Sequence, residues 1–204
     1  MRSVLVALIV LAVAAAATVL LLRHDERHAQ PWELTDIRGH MPDLRFHLIN
    51  DRDQPVTGAS YRGKTVLLYF GYTHCPDVCP TTLAHLSVVM QNLGAVAKDV
   101  RVLFVSVDPR RDTPAVLHAY VDAFDPQQFV GLTGTPQQIA RVAKRYRVAY
   151  SYGKPDAAGN YVVNHSAAIF IFDDRGRARL LATQQSTVPQ LTHDLTLLLH
   201  EEHA

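Results

Sequence analysis

The pattern of hydrophobic and polar positions begins with one long apolar segment. Val4–Leu22 is apolar except for Thr18, and Arg2 and Arg23 bracket it. A helix needs about 20 consecutive apolar residues to cross a bilayer. We therefore predict that residues 1–22 form a single membrane anchor, an uncleaved signal-anchor.

A cleaved signal peptide is the alternative for this segment, because Ala14–Ala16 resembles a small-residue cleavage site. The apolar run continues through Val19–Leu22, however, which favours retention of the segment in the membrane. Positive charges on its two sides are nearly balanced, so the positive-inside rule alone does not orient it.

Polar residues follow the apolar segment, and we predict that residues 23–42 form a linker. Three positions in this range, Pro31, Gly39 and Pro42, interrupt helices and strands. The remaining residues, 43–204, are predicted to form one domain. It opens with a β-hairpin pattern, in which Leu44–Ile49 and Val56 flank a polar turn.

Short apolar runs then alternate with amphipathic helical patterns. Strands are predicted at Val66–Phe70, Arg101–Val107, Ala167–Phe172 and Ala178–Ala182, the last two joined by a tight turn. Helices are predicted to begin near Pro80, Pro114, Pro136 and Pro189. The second and third are preceded by threonine, and Thr135 with Gln138 forms a capping-box pattern. This order predicts an α/β, thioredoxin-like domain with a mixed central sheet and an added N-terminal hairpin.

Composition and charge exclude two classes of protein. A content of 48% hydrophobic and 19% charged residues excludes a disordered polymer. The net charge is only +1, and no basic run is present. Nucleic-acid binding requires clustered Lys and Arg, so a nucleic acid is not an expected partner.

The two cysteines, Cys75 and Cys79, lie where a buried strand gives way to a helix. Such a crevice at the carboxyl end of a sheet is a common location for functional sites. We place Cys79 at the helix N-cap and expect the helix dipole to lower its thiol pKa. Two chemistries remain open for this pair, namely disulfide exchange and binding of a soft metal ion.

The three-residue spacing leaves room for two sulfurs to flank an ion. Structural zinc usually takes four protein ligands, and an iron–sulfur cluster usually takes four cysteines. Copper(I) prefers soft thiolate ligands, and two cysteines with one histidine would suffice for it.

His165 is the histidine that best completes such a set. It immediately precedes the predicted strand Ala167–Phe172, whose entry faces the cysteine loop in a thioredoxin-like sheet. Thioredoxins carry a proline there, whereas this chain has none between Pro155 and Pro189. Asp108, at the end of another strand, has two alternative roles, orienting His165 or capping the following loop.

The segment Gly71–Leu83, GYTHCPDVCPTTL, resembles the signature of the Sco/SenC family of membrane-anchored copper proteins that assist cytochrome c oxidase assembly. Val107–Pro114, the His165-Ser166 pair and the N-terminal apolar segment resemble that family as well. The resemblance implies copper binding by Cys75, Cys79 and His165. It also implies a single-pass inner-membrane protein whose domain faces the periplasm.

The expected function is that of a metallochaperone that delivers copper to the binuclear copper site of an oxidase subunit, without catalytic turnover. The alternative is a thiol–disulfide oxidoreductase that reduces the cysteine pair of that subunit and is itself served by a reductant partner. In that alternative, Cys75 attacks as the more exposed thiol and Cys79 resolves the mixed disulfide.

Overall fold

The computed structural model describes residues 32–203, and residues 33–203 belong to one compact unit. Ten strands are described: β1 Thr35–Asp36, β2 His47–Asn50, β3 Pro55–Thr57, β4 Thr65–Gly71, β5 Val100–Ser106, β6 Phe129–Thr133, β7 Tyr150–Tyr152, β8 Val163–His165, β9 Ile169–Phe172 and β10 Ala178–Ala182. The helices are α1 Val78–Leu93, α2 Pro114–Asp122, α3 Pro136–Arg145 and α4 Val188–His203, with short 3-10 turns at Gly58–Tyr61 and Gly94–Asp99.

Eight of the described strands form one sheet in the order β1-β10-β9-β4-β5-β6-β2-β3. The central strands β4, β5 and β6 are parallel, and the outer strands pair antiparallel. The predicted α/β class, the mixed sheet and the N-terminal hairpin, formed by β2 and β3, are therefore confirmed. β7 and β8 form a separate two-stranded antiparallel ribbon.

The core is centred on β4 and β5, as their unbroken apolar runs predict. Every residue of β4 is buried, and so is every residue of β5 except Arg101. The predicted apolar face of α1 is buried at Leu83, Leu86, Met90 and Leu93, and that of α4 at Leu191, Leu195, Leu198 and Leu199. These two helices pack against each other.

Helix capping follows the local sequence at two of the predicted starts. Thr113 accepts a hydrogen bond from the Val116 N–H, and Thr135 forms the predicted reciprocal capping box with Gln138. Helix α1 differs from the prediction, because it begins at Val78 with Asp77 as N-cap. Cys79 therefore lies inside the first turn and is not the N-cap.

Several element boundaries also differ from the sequence patterns. β9 begins at Ile169 and not at Ala167. β6 and the β7–β8 ribbon had no counterpart among the predicted strands, because they are short and lack a long apolar run. Part of the predicted linker belongs to the compact unit, since β1 pairs with β10 and the side chains of Leu34 and Ile37 are buried.

The predicted anchor at residues 1–22 lies outside the described residues. Among residues 32–203, no helix has both the length and the apolar character that crossing a membrane requires.

Candidate metal centre

Sheet topology brings the three predicted ligands to one edge. The parallel strands β4 and β5 end in register, with Gly71 opposite Ser106, so the loops that follow them share that edge. β9 runs antiparallel to β4, with Ile169 opposite Tyr69, and its entry therefore lies at the same edge. Cys75 follows β4, whereas His165 closes β8 just before β9.

Ligand atoms of Cys75, Cys79 and His165 all lie within 4.8 Å of one another. The Cys79 Sγ is 3.3 Å from the His165 Nε2, and the Cys79 backbone N–H donates to the Cys75 Sγ over 3.4 Å. Both cysteines are free thiols. The sequence-based prediction that these residues converge is confirmed, and an imidazole nitrogen and two sulfurs are available to one ion.

The hydrogen bonding of His165 selects one of its nitrogens for a ligand role. Its Nδ1 lies 3.1 Å from the carbonyl oxygen of Ser166, which can only accept, so Nδ1 carries the proton. The Nε2 lone pair therefore points toward Cys79. Burial lowers the pKa of His165, which keeps the imidazole neutral, as metal binding requires.

Aromatic rings hold this imidazole from two sides. The Tyr72 ring packs edge-on against it at 6.0 Å between centroids, and the Tyr69 ring does so at 6.3 Å. Both tyrosines are almost fully buried. The ring of His165 is thereby restricted in rotation, which fixes the direction of Nε2.

Gly71 allows Cys79 to approach the sheet. A Cβ at this position would lie 2.9 Å from the Cys79 Sγ and 2.5 Å from the Phe104 Cε2. Real Cβ atoms essentially never come closer than 3.0 Å to another heavy atom. The glycine that opens the cysteine motif is thus required for the packing of the buried sulfur.

The two thiols differ in environment. Cys75 is half-buried, whereas Cys79 is fully buried. Burial raises the pKa of the Cys79 thiol to about 12, mainly through loss of solvation of the thiolate. The expectation of a lowered Cys79 pKa is therefore wrong, because the side chain lies in the core and not at the solvated helix end.

Asp112 anchors the cysteine loop, a role that the sequence patterns did not reveal. It is fully buried and accepts hydrogen bonds from the Thr73 N–H at 3.0 Å, the Thr73 hydroxyl at 2.6 Å and the Ser106 hydroxyl at 2.6 Å. The sequence feature that could have indicated this role is the position of Asp112, a second aspartate four residues after Asp108 and just beyond a buried strand. Its charge-assisted bonds join the loops that follow β4 and β5.

Of the two roles considered for Asp108, the structure supports capping of the loop that follows β5. Its carbonyl oxygen accepts from the N–H groups of Arg111 and Asp112, and its buried carboxylate accepts from Arg111 Nε and from the Tyr161 hydroxyl. Arg111 also stacks on the Tyr161 ring at 3.8 Å. The carboxylate thus fastens the segment that leads into β8, and neither of these hydrogen bonds reaches His165.

His74 and Asp77 lie beside the site without joining the group of three. The His74 Nδ1 is 2.9 Å from the Thr73 hydroxyl, and its ring is half exposed. Asp77 is the N-cap of α1, and its side chain accepts a hydrogen bond from the Thr81 hydroxyl at 3.4 Å.

Comparison with known proteins identifies the family of this chain. A family model for SCO1/SenC matches residues 24–200. The mitochondrial SCO2 homolog of Bos taurus is 45% identical over 133 residues, which are 64% of this chain and 50% of that protein. The chain thus spans about half the length of the curated relatives it matches.

Two copper-bound structures are similar to the chain. Arabidopsis thaliana ScoI superposes with a TM-score of 0.72 at 34% identity, covering 78% of this chain and 98% of that one. Bradyrhizobium japonicum ScoI superposes with a TM-score of 0.70 at 40% identity, covering 76% and 98%. The fold, the cysteine motif and the extent of these matches agree: this chain belongs to the SCO1/SenC family.

Proposed function

We propose that this protein is a copper chaperone that binds copper through Cys75, Cys79 and His165 and delivers it during assembly of cytochrome c oxidase. The observation that carries the proposal is the 3.3 Å separation between the Cys79 Sγ and an unprotonated His165 Nε2, with the Cys75 Sγ within 4.8 Å of both. Copper is bound in the related Arabidopsis and Bradyrhizobium structures, which supports copper as the cargo.

The donor set favours copper(I) over other ions. Two thiolates are soft ligands and an imidazole is a common copper ligand, and together they meet the low coordination number that copper(I) accepts. Tetrahedral structural zinc would require a fourth protein ligand. Neither His74 nor Asp77 belongs to the group of ligand atoms within 4.8 Å.

Transfer would proceed by ligand exchange at the more exposed side of the site. A thiolate of the receiving oxidase subunit would first replace the half-buried Cys75, while the buried Cys79 and His165 still hold the ion. His165 also borders a surface pocket with Ser166 and Thr183–Gln185, which leaves room for an incoming ligand. The receiving site is proposed to be the binuclear copper centre of that subunit.

A thiol–disulfide oxidoreductase is the second candidate, and the different exposure of the two thiols favours it. The half-buried Cys75 would attack a disulfide of the partner, and the buried Cys79 would then release the reduced partner. This reaction does not require an imidazole 3.3 Å from Cys79, so His165 distinguishes the two functions.

The test is to replace His165 by alanine and to measure both activities. Copper(I) affinity, determined by competition with a chromophoric chelator, should fall at least tenfold. Loss of a residue that only hydrogen-bonds to a metal ligand typically costs about 10–100-fold, and loss of a direct ligand should cost no less. The reduction potential of the Cys75–Cys79 pair should change much less, because it depends mainly on the thiols.

His74→Ala is the matched control, since it removes an imidazole from the same loop without removing a proposed ligand. It should keep the wild-type copper affinity. If His165→Ala binds copper like the wild type and oxidase assembly proceeds normally, the chaperone proposal is wrong and the oxidoreductase takes its place.

A further inference from the structure

A second group of metal-binding side chains lies apart from the cysteine site. Asp51 follows β2, and His118 and Asp122 lie on α2. One ligand atom from each of the three lies within 4.8 Å of the others.

Two structural features bring these residues together. His118 and Asp122 are four residues apart on one helix and therefore project from the same face. Gly131 of β6 lets that helix approach the strand, since a Cβ there would lie 2.7 Å from the Leu117 Cβ and 3.3 Å from the Asp51 Cβ. The close approach brings His118 next to Asp51.

Asp51 presents a buried carboxylate to the ring of His118. Asp51 is only 7% exposed, and its ion pair among the described residues is with His118, at 3.4 Å from Nδ1. The His118 Nε2 is 3.5 Å from Asp122. Both separations exceed the usual 2.7–3.2 Å of an N–H···O hydrogen bond. Because each carboxylate faces a different nitrogen of the ring, a single ion would bind only one of these nitrogens. A buried carboxylate whose hydrogen bond is this long would gain from closer contact with a cation.

We propose that Asp51, His118 and Asp122 form a second metal site, which binds a divalent transition-metal ion of the zinc class. One imidazole and two carboxylates are borderline and hard ligands, which suit zinc, cobalt or nickel and not copper(I). In a tetrahedral zinc site, neighbouring ligand atoms are about 3.3 Å apart. The side chains of His118 and Asp122 are partly exposed, at 45% and 39%, so they can rotate until one nitrogen and both carboxylates face the same ion.

The site has access to solvent for the remaining coordination position. Asp51 and Asp122 both line a surface pocket, together with Tyr61 and Arg101. A water molecule could enter there and complete a three-ligand site. This site contains no thiolate, so its ligand chemistry differs from that of the proposed copper centre. Zinc binding by this site can be tested whether or not the chain binds copper.

The experiment is a titration of the full-length chain with Zn²⁺, in which calorimetry measures the heat of binding. Cys75→Ser and Cys79→Ser are introduced first, so that the thiols do not bind zinc. We expect one saturable zinc site. Adding His118→Ala should weaken zinc binding at least tenfold, and Asp122→Asn should weaken it in the same direction. His85→Ala, which removes an exposed histidine from α1, should leave the affinity unchanged.

Cobalt(II) provides a spectroscopic readout, because its d–d absorption in the same chain should indicate nitrogen and oxygen ligands and should disappear with His118→Ala. If serine at the buried position 79 prevents folding, the Cys75→Ser, His165→Ala chain repeats the titration with Cys79 in place. The proposal is overturned if no saturable zinc site is found, or if His118→Ala binds zinc as tightly as its parent. The three residues would then form only an ion-pair cluster.

Discussion

Gly71 links the sequence motif to the geometry of the buried sulfur. We predict that Gly71→Ala lowers the free energy of unfolding by about 1–3 kcal/mol, because the added methyl group overpacks a filled core. The new Cβ would meet both Phe104 and the Cys79 Sγ. Displacement of the sulfur should also weaken copper binding. Urea unfolding and copper competition measure the two effects.

A double-mutant cycle tests the cause of this loss. Phe104→Leu removes the ring that lies 2.5 Å from the added Cβ. Combined with Gly71→Ala, it should cost less than the sum of the two single substitutions. Strict additivity would mean that the methyl group does not collide with the ring.

At the scale of elements, the β7–β8 ribbon carries His165 and is fastened to the end of β5. Tyr161 donates to Asp108 at 2.8 Å, and Tyr152 donates to the Val107 carbonyl at 2.8 Å. The Tyr152 and Tyr161 rings also pack edge-on against each other at 5.8 Å. The position of the imidazole therefore depends on contacts made several residues away from it.

We predict that Tyr161→Phe weakens copper binding by up to about tenfold, since it loosens the segment that positions a proposed ligand. The lost hydrogen bond to a buried carboxylate should also reduce stability by about 1–3 kcal/mol. Tyr150→Phe is the control in the same ribbon, because the Tyr150 hydroxyl makes no hydrogen bond among the described contacts. Equal copper affinities for the two variants would contradict a positioning role for Tyr161.

The C-terminal helix α4 contains a carboxylate that makes stability depend on pH. Glu202 accepts hydrogen bonds from Thr65 and from the Asp174 N–H, and burial raises its pKa above the ordinary value of 4.5. The folded state therefore binds this proton more tightly than the unfolded state. The contribution of Glu202 to stability is present at low pH and is lost as the pH rises through the window between its unfolded and folded pKa values.

Glu202→Gln should accordingly stabilise the protein at pH 7 relative to the wild type, because it keeps the polar contacts without a partly desolvated charge. The difference should shrink as the pH falls below the folded pKa of Glu202, where the wild-type carboxyl is protonated. Thermal unfolding from pH 4 to pH 7 measures it. The exposed Glu33→Gln is the control, and a difference that is independent of pH would contradict the assignment to Glu202.

At the scale of the whole molecule, the prediction concerns the side of the membrane on which the domain lies. We expect the apolar segment Val4–Leu22 to hold the chain in the membrane with its domain outside the cytoplasm. A reporter that is active only in the periplasm, fused after Ala204, should therefore be active. The same fusion without residues 1–22 should be inactive. If only a cytoplasm-active reporter works, the domain lies in the cytoplasm, and the proposed delivery of copper outside the cytoplasm is contradicted.

The sequence determined the features that depend on local pattern. Continuous apolar runs predicted the buried strands β4 and β5, and the threonine caps predicted the starts of α2 and α3. The cysteine motif and the histidine before β9 could be combined only by analogy with thioredoxin-like sheets, in which the two loops share an edge. The buried strands and the helix starts follow from residues that are neighbours along the chain, so they can be predicted without knowing the tertiary fold.

Only the tertiary structure decided the environments of individual groups. The pKa of Cys79 moves upward because distant core residues bury the sulfur, although the helix start alone suggested the opposite. Asp112 and Asp108 acquired their roles from partners on other loops, and the meeting of Asp51 with His118 depends on how closely α2 approaches β6 at Gly131. Solvation and long-range contacts set these properties, and neither is encoded in the spacing of adjacent residues.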